Sequence, residues 1–228
     1  MEQQKINIAL DGPAGAGKST IAKQLAQKLD ILYLDTGAMY RALGLKAKKC
    51  GVDPKDRAKV EALLPDTRVD VIYQNGQMRV ELDGENVEPA IRTQEMGMYA
   101  SAVAAHPGVR EYLVELQRKI ALENDLVLDG RDIGTCVLPD TRYKFFITAS
   151  LEERAHRRFA ELVQKGEKSE SFEAVKAAMA QRDKADAERE FSPLSCADDA
   201  EVVDTTEMDI DEVVDFLIEA IDTRRHQA

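Results

Sequence analysis

Cysteine and histidine are scarce in this sequence of 228 residues, and long apolar runs are missing. The three cysteines, Cys50, Cys136 and Cys196, are odd in number and far apart. They fit neither a disulfide framework nor a zinc site, which indicates a reducing compartment and predicts a cytoplasmic protein. The three histidines show no ligand spacing, so we expect no structural zinc. No window approaches the roughly 18 apolar residues of a membrane span, so we expect no membrane association. The stretch before Asp11 lacks the features of a signal peptide.

An excess of positive charge is missing as well. The sequence contains 31 Lys and Arg against 42 Asp and Glu, which gives a net charge of −11. A general nucleic-acid binder needs a basic surface, so we expect no nucleic-acid partner. The segment 198–222 contains eleven acids and neither Lys nor Arg, and it accounts for the whole imbalance. A site for an anionic ligand therefore has to be built locally on an otherwise charge-balanced chain.

Strands and helices alternate in the N-terminal part of the sequence, with short connections between them. The apolar runs Ile6 to Leu10 and Ile31 to Leu34 predict two buried strands. Each is followed by a predicted helix, at 19–29 and at 38–49. This alternation predicts an α/β fold in which helices flank a parallel β-sheet.

An antiparallel segment interrupts the alternation between about residues 65 and 90. Arg68 to Tyr73 and Gln77 to Asp83 alternate apolar and polar residues around Asn75-Gly76, a dipeptide typical of a tight hairpin turn. Beyond it, the sequence predicts strands at 126–129, 143–148 and 202–203, and helices at 93–105, 107–123, 151–165 and 172–189, with a last one from about Ile210.

The segment Gly12 to Ser19 matches the pattern G-x-x-x-x-G-K-[ST] of a phosphate-binding loop, the P-loop. Its glycines allow backbone N–H groups to turn toward phosphate oxygens, and the helix that follows directs its positive end to the same place. Lys18 is expected to reach the β- and γ-phosphates of a nucleotide, and the hydroxyl of Ser19 to help hold Mg²⁺. A predicted strand precedes the motif and a predicted helix follows it, as the motif requires.

Asp129 ends the apolar run that begins at Leu126. A P-loop protein often holds Mg²⁺, directly or through water, with an acid at the tip of a buried strand. The alternative is an ordinary turn residue, because Asp-Gly is common in turns. Both interpretations remain open for Asp129 taken alone.

Several arginines near predicted strand ends and loops could bind a second phosphate, because the planar guanidinium donates two parallel hydrogen bonds. They are Arg41, Arg92, Arg110 and Arg131. A lone arginine on a helix is usually a solvated surface residue. Arg131 differs, since it directly follows the predicted metal-binding strand, at the sheet edge where α/β proteins bind ligands.

A further group of arginines, Arg154, Arg157 and Arg158, lies on one predicted helix. These side chains could close over donor phosphates as a lid, or they could belong to a surface helix balanced by neighbouring glutamates. The charged run 182–189 is equally ambiguous.

The sequence contains no H-R-D or D-F-G set, which excludes a protein kinase, and no N-K-x-D motif, which counts against a GTPase switch.

Taken together, these segments resemble the bacterial cytidylate kinases, the (d)CMP kinases of the nucleoside monophosphate kinase group. The resemblance extends over nearly the whole chain and rests on Asp11 to Thr20, Leu34 to Arg41, Ile91 to Thr93, Ser101 to Ala105 with Val109-Arg110, Asp129 to Thr135, and Gln181 to Asp183 with Asp186, Arg189, Pro193 and Leu194. The P-loop is common to many families. The pair Thr36 to Arg41 and Asp129 to Thr135 is far more specific.

The resemblance implies a three-part enzyme that transfers the γ-phosphoryl group of ATP to CMP or dCMP. A P-loop core would comprise 1–64 and 106–228, with a lid at about 151–168. An insert at 65–105 would bind the nucleoside monophosphate. Mg²⁺ is the implied cofactor, with Ser19 and Asp129 as its ligands. We expect a monomer.

The resemblance also implies roles for individual residues. Lys18, Arg131 and Arg158 would be catalytic. ATP would be bound by Gly12, Pro13, Ala14, Gly15, Ala16, Gly17, Lys18, Ser19, Thr20 and Arg157. CMP would be bound by Thr36, Tyr40, Arg41, Ser101, Arg110, Arg131, Asp132, Arg182, Asp186 and Arg189. Within that set, Ser101, Arg110 and Asp132 would contact cytosine, Arg41, Arg131 and Arg189 the phosphate, and Asp186 with Arg182 the ribose.

Departures from the family pattern are mild. Ala14 stands where a serine is common, Ser19 stands where many nucleotide kinases have glycine, and Gln94 to Ala100 matches only loosely. Two other interpretations remain open: a P-loop kinase with another acceptor, such as shikimate or AMP, and a nucleotide-binding switch that transfers nothing.

Overall fold

A computed structural model of the chain describes residues 5–74, 76–164, 166 and 171–226. In chain order its elements are β1 (Asn7–Asp11), α1 (Lys18–Leu29), β2 (Leu32–Asp35), α2 (Thr36–Lys49), α3 (Arg57–Glu61), β3 (Val69–Gln74), β4 (Gln77–Leu82), β5 (Glu85–Asn86), α4 (Glu88–Ile91), α5 (Gln94–Val103), α6 (Pro107–Glu123), β6 (Leu126–Asp129), β7 (Tyr143–Thr148), α7 (Leu151–Gln164), α8 (Phe172–Glu188), β8 (Glu201–Asp204) and α9 (Ile210–His226). A 3₁₀ turn covers Leu64–Asp66 and a π-helical turn covers Ile133–Val137.

The strands form two sheets, and both agree with the fold class predicted from the sequence. The larger one has five strands in the order β2-β6-β1-β7-β8. The pairs β1/β7 and β7/β8 are parallel, with Ile8 opposite Tyr143 and Phe146 opposite Val202. The smaller sheet, β3-β4-β5, is antiparallel. A parallel sheet with helices and a small antiparallel sheet is the predicted architecture.

The described residues fall into two compact units, which we call the first unit (5–6 and 31–128) and the second unit (7–30 and 129–226). The division into a core at 1–64 and 106–228 and an insert at 65–105 stays a prediction. Residues 1–4, 165, 167–170 and 227–228 of the predicted core, and residue 75 of the predicted insert, lie outside the described residues.

In the first unit, α2 packs against α5 and against the hairpin of β3 and β4. A methyl group at Gly44 would lie 2.8 Å from the Cβ atom of Tyr99, so this close helix approach requires glycine. The hairpin is confirmed: Gln74 pairs with Gln77, and Gly76 has a φ of 74°. Asn75, the other residue of the predicted turn, lies outside the described residues.

In the second unit, α9 packs against α1 and completely buries Val213, Val214, Leu217 and Ile221. Helices α7 and α8 pack through a separate apolar cluster of Ala155, Leu162, Val175 and Met179. The end of the predicted helix at Lys165 and the part of the predicted lid at 167–168 lie outside the described residues. No helix within the described residues is long and apolar enough to cross a membrane.

The sequence patterns missed the shortest elements. Helices α3 and α4 contain five and four residues, which is less than two helical turns, so no periodicity can develop. The π-helical turn Ile133–Val137 also escaped prediction. It is held by long-range hydrogen bonds, which are described below.

Candidate active site

The P-loop follows β1 with the geometry that its glycines predict. Gly12 has a φ of 142°, and a Cβ atom there would lie 1.9 Å from the carbonyl oxygen of Ile147, so only glycine fits. Gly17 caps the N-terminus of α1 with a φ of 85°. Gly15, Ser19 and Thr20 are exposed along the loop. The loop therefore presents backbone amides and a helix N-terminus to an anionic ligand.

Lys18 is the buried cation of the loop, and its ammonium group donates a hydrogen bond of 2.6 Å to the carbonyl oxygen of Pro13. Burial lowers the pKa of Lys18 well below its usual value, and the positive charges of Arg131 and Arg182 lower it further. The carboxylates of Asp129 and Asp11 oppose this shift. A bound polyphosphate would act in the same direction as these carboxylates and favour the charged form.

Ser19 and Asp129 meet at the edge of the sheet. The hydroxyl of Ser19 donates to the Asp129 carboxylate at 2.5 Å, and Asp129 is only 5% exposed. A hydroxyl and a carboxylate are hard oxygen donors, the type that Mg²⁺ prefers together with nucleotide phosphates and water. Among the described residues, no group of three or more His, Cys, Asp and Glu side chains could hold a metal alone. The pair therefore fits a metal that arrives with a nucleotide better than a permanent metal centre.

Asp11 is a buried carboxylate to which the sequence patterns assigned no role of its own. Its two oxygens accept hydrogen bonds from the backbone amides of Ile133 and Gly134, at 2.8 and 2.7 Å. Burial raises the pKa of Asp11 to about 6, although these two hydrogen bonds lower it. Asp11 thereby fixes the start of the π-helical turn directly after Asp132. The partners are more than 120 positions away, so only the position before Gly12 could have signalled this role.

The segment after β6 and the helix α8 bring four of the predicted site residues together. Arg131 donates from Nε to Asp186 at 2.9 Å, and Arg189 lies 3.7 Å from the carboxylate of Asp132. Arg182 belongs to the same cluster, since its charge acts on Lys18. Two ion pairs, Arg131 with Asp186 and Arg189 with Asp132, therefore offer both cationic and carboxylate groups to a ligand.

The three arginines of α7 have different surroundings. Arg154 is buried and bound by protein groups, including the carbonyl oxygen of Ala14. Arg157 donates to the hydroxyl and the carbonyl oxygen of Thr205, at 3.1 and 2.6 Å, and lies near Gly17. Arg158 pairs with Glu161 at 3.0 Å on the surface of the helix. Arg154 and Arg157 are therefore connected to the P-loop region, whereas the catalytic role predicted for Arg158 stays a prediction.

In the first unit, the carboxylate of Asp35 binds a helix N-terminus and two arginines. It caps α2 by accepting from the amide of Ala38, and it pairs with Arg41 at 2.9 Å and with Arg92 at 2.5 Å. Burial alone would raise the pKa of Asp35, but Arg41 and Arg92 outweigh it and hold the pKa below its usual range. Arg92 also pairs with Glu88. Arg92 stood out in the sequence as a possible phosphate ligand, whereas no local pattern pointed to Asp35 as the group that joins both arginines.

The other predicted residues of the first unit lie on three helices. The guanidinium of the buried Arg110 lies 5.7 Å from the ring centre of Tyr40, as a cation–π contact. Thr36 is buried in the first turn of α2, and Ser101 is half-buried in α5. The structure thus joins Tyr40 with Arg110, and Arg41 with Arg92. The assigned roles of all these residues stay predictions.

Comparison with known proteins agrees with this geometry. The family described as Cytidylate kinase matches residues 8–223. A cytidylate kinase of Caldicellulosiruptor bescii is 48% identical over 216 residues, which is 95% of either chain. A cytidylate kinase of Bacillus subtilis is 45% identical over 222 residues, 97% of this chain and 99% of its own.

A structural comparison supports the fold alone. The crystal structure of an uncharacterized protein from Eubacterium ventriosum is similar with a TM-score of 0.53 at 15% identity, over 96% of this chain and 99% of that chain. The sequence relationship is much closer, and it extends over nearly the whole length. The chain therefore belongs to the cytidylate kinase family.

Proposed function

We propose that this protein transfers the γ-phosphoryl group of ATP to CMP or dCMP and releases ADP with CDP or dCDP. The observation that supports it most is the arrangement around Asp129 to Asp132. Asp129 contacts the P-loop serine, and the next residues, Arg131 and Asp132, are paired with Asp186 and Arg189. One short segment thus carries groups suited to both the donor phosphates and an acceptor nucleotide.

The P-loop binds ATP in this proposal, through the residues from Gly12 to Thr20 and through Arg157. The ammonium group of Lys18 contacts the β- and γ-phosphates and neutralises their charge as the transferred group moves. Ser19 and Asp129 hold Mg²⁺, directly or through water. The metal held there would supply positive charge that offsets the charge developing on the transferred phosphoryl group.

The attacking atom is an oxygen of the CMP phosphate. The second pKa of a phosphate monoester is about 6, so this oxygen is mostly ionised at neutral pH and needs no general base. Catalysis then consists of alignment and charge neutralisation. Arg41, Arg131 and Arg189 bind the CMP phosphate, and Arg131 and Arg158 assist Lys18 in stabilising the transferred group.

The remaining acceptor residues define the nucleoside. Asp186 with Arg182 binds the ribose, and Thr36 and Tyr40 line the acceptor site. Ser101, Arg110 and Asp132 recognise cytosine. The carboxylate of Asp132 accepts from the exocyclic amine of cytosine. Uracil has no such donor, and it would leave this buried acceptor without its partner.

The parts of the chain have separate tasks in this proposal. The core at 1–64 and 106–228 holds ATP, the insert at 65–105 closes over CMP, and the lid at about 151–168 covers the donor. Closure would exclude water and limit hydrolysis of ATP.

An acceptor panel tests the proposal. ADP formation should be measured with Mg²⁺ and ATP in the presence of CMP, dCMP, UMP, AMP or shikimate, with an acceptor-free reaction as the control. We expect kcat/KM to be highest for CMP and dCMP. Faster turnover of AMP or shikimate would overturn the assignment of the acceptor. ATP binding without transfer to any acceptor would indicate a nucleotide-binding module.

A further inference from the structure

An ion pair between helices α7 and α8 binds the backbone at the tip of the P-loop. Arg154, on α7, donates from Nη1 to the carbonyl oxygen of Ala14 at 3.0 Å. Asp183, on α8, accepts from the backbone amide of Ala14 at 3.4 Å. The same Nη1 of Arg154 also donates to Asp183, at 2.5 Å. Both backbone groups of Ala14 are therefore engaged by this pair, which we call the Arg154–Asp183 clamp.

The guanidinium of Arg154 has little freedom to move. Its side chain is 8% exposed, and Nε donates to the carbonyl oxygen of Ala149 at 2.9 Å. It thus reaches three acceptors, on Ala149, Ala14 and Asp183. The rigid fork of a guanidinium suits such a set, whereas the single ammonium of lysine on a flexible stem does not reproduce it. A charge buried to this degree requires its partner, so Asp183 and Arg154 depend on each other.

Packing at Gly15 adds a second contact between the loop tip and the same helices. Gly15 has a φ of 75°, and a Cβ atom there would lie 2.5 Å from Cε of Met179 and 3.3 Å from Cβ of Arg154. Met179 belongs to the apolar cluster that joins α7 to α8. The loop tip is therefore in contact with both helices, through hydrogen bonds at Ala14 and through packing at Gly15.

We propose that Arg154 and Asp183 are positioning residues for the donor nucleotide. The clamp occupies the amide and the carbonyl of Ala14, which fixes the loop at the residue before the exposed Gly15. The backbone amides that follow are thereby held in one arrangement in which they can bind the phosphates of ATP or ADP. The loop then loses little conformational entropy when the nucleotide binds. Asp183 also lies between Arg182 and Asp186 on α8, so the clamp joins the donor loop to the helix that bears proposed acceptor residues.

This inference rests on the proposed function only in requiring that the P-loop binds ATP and ADP. Binding of ADP with Mg²⁺, measured by calorimetry without any acceptor, therefore tests it separately. If the acceptor were not CMP, the ADP measurement would still decide the role of the clamp. If CMP is the acceptor and the clamp has no role, the variants will bind ADP as the wild type does.

The test uses Arg154→Lys and Asp183→Asn in the full-length protein. We expect the Kd for ADP and the KM for ATP to rise roughly tenfold in each variant, because a small displacement of a positioned loop weakens every phosphate contact. The KM for CMP should change much less. A purely structural role predicts a lower thermal midpoint with no selective effect on the donor. An unchanged Kd for ADP, or equal changes for ADP and CMP, would overturn the proposal.

Further variants keep the result interpretable. Glu188→Gln removes one negative charge from an exposed position of the same helix and should leave ADP binding unchanged. The double variant Arg154→Lys/Asp183→Asn should bind ADP about as weakly as either single variant, since residues that act as one unit are not additive. Additive losses would contradict a single clamp. If Asp183→Asn fails to fold, Asp183→Glu retains the charge but displaces the carboxylate from Ala14. An unchanged Kd for ADP in that variant would equally overturn the proposal.

Discussion

The hydroxyl of Ser19 lies 2.5 Å from the carboxylate of Asp129, although 110 positions separate the two residues in the chain. This contact connects the N-terminus of α1 with the tip of β6. It brings together the two oxygen ligands proposed for Mg²⁺, and it supports the proposal that Asp129 is a metal ligand rather than an ordinary turn residue. A turn residue without function has no need of a buried carboxylate directed at the P-loop serine.

The first prediction concerns this pair. In Asp129→Asn the shape of the side chain is retained but the charge that favours Mg²⁺ is removed. We expect the Mg²⁺ concentration for half-maximal activity to rise by about tenfold or more, and Ser19→Ala to act in the same direction. A magnesium titration at saturating ATP measures it. Asp140→Asn, which neutralises an exposed acid, is the control. A wild-type magnesium dependence in Asp129→Asn would exclude the assigned role.

The second prediction concerns Lys18. Replacement by methionine keeps most of the buried aliphatic volume but removes the ammonium group. We expect kcat to fall by about a factor of 10² to 10³, since one preorganised charge at the transferred group is lost. The KM for CMP should change only slightly, because Lys18 contacts the donor. Steady-state kinetics measure both, and Lys28→Met on the same helix is the matched control, because its ion pair with Asp215 is exposed. Wild-type kcat in Lys18→Met would refute the role.

The third prediction concerns the choice of base. Asp132→Ala removes the proposed acceptor for the exocyclic amine of cytosine. It also removes the partner of Arg189, so the KM for CMP should rise for that reason alone. The informative quantity is the ratio of kcat/KM for CMP to that for UMP, which should fall by at least about tenfold. Asp140→Asn should leave this ratio unchanged. An unaltered ratio in Asp132→Ala would mean that other residues recognise the base.

The fourth prediction concerns pH and Asp11. Burial raises the pKa of Asp11 from 3.8 to about 6 in the folded protein. Between these values the folded state binds more protons than the unfolded chain, so the contribution of Asp11 to stability falls as the pH rises from about 4 to about 6. The change amounts to on the order of 3 kcal/mol.

Asp11→Asn removes this titrating group and leaves every other acid of the chain in place. Urea unfolding should be followed at several pH values between about 4 and about 7. We expect the unfolding free energy of the wild type minus that of the variant to decrease as the pH rises. A difference that increases with pH would show that the hydrogen bonds from Ile133 and Gly134 outweigh burial.

The sequence predicts much of this architecture because local patterns determine it. The glycines of the P-loop, the apolar run of β1 and the alternation on both sides of Gly76 act over a few residues each. The contacts that local patterns could not predict join residues far apart in the chain. Asp11 binds amides at 133 and 134, and Arg154 binds the carbonyl of Ala14 from 140 positions away. An arginine on a charged helix looks the same in the sequence whether it is solvated or buried, so only tertiary contacts reveal the clamp.

The fate of the γ-phosphoryl group tests the central claim most directly. The protein should be incubated with Mg²⁺, CMP and ATP that is radiolabelled at its γ-phosphate, and the products separated by chromatography. We predict that the label appears in CDP, in an amount equal to the ADP formed, and that little appears in inorganic phosphate. Label that accumulates in inorganic phosphate, or ADP that forms without labelled CDP, would contradict the account.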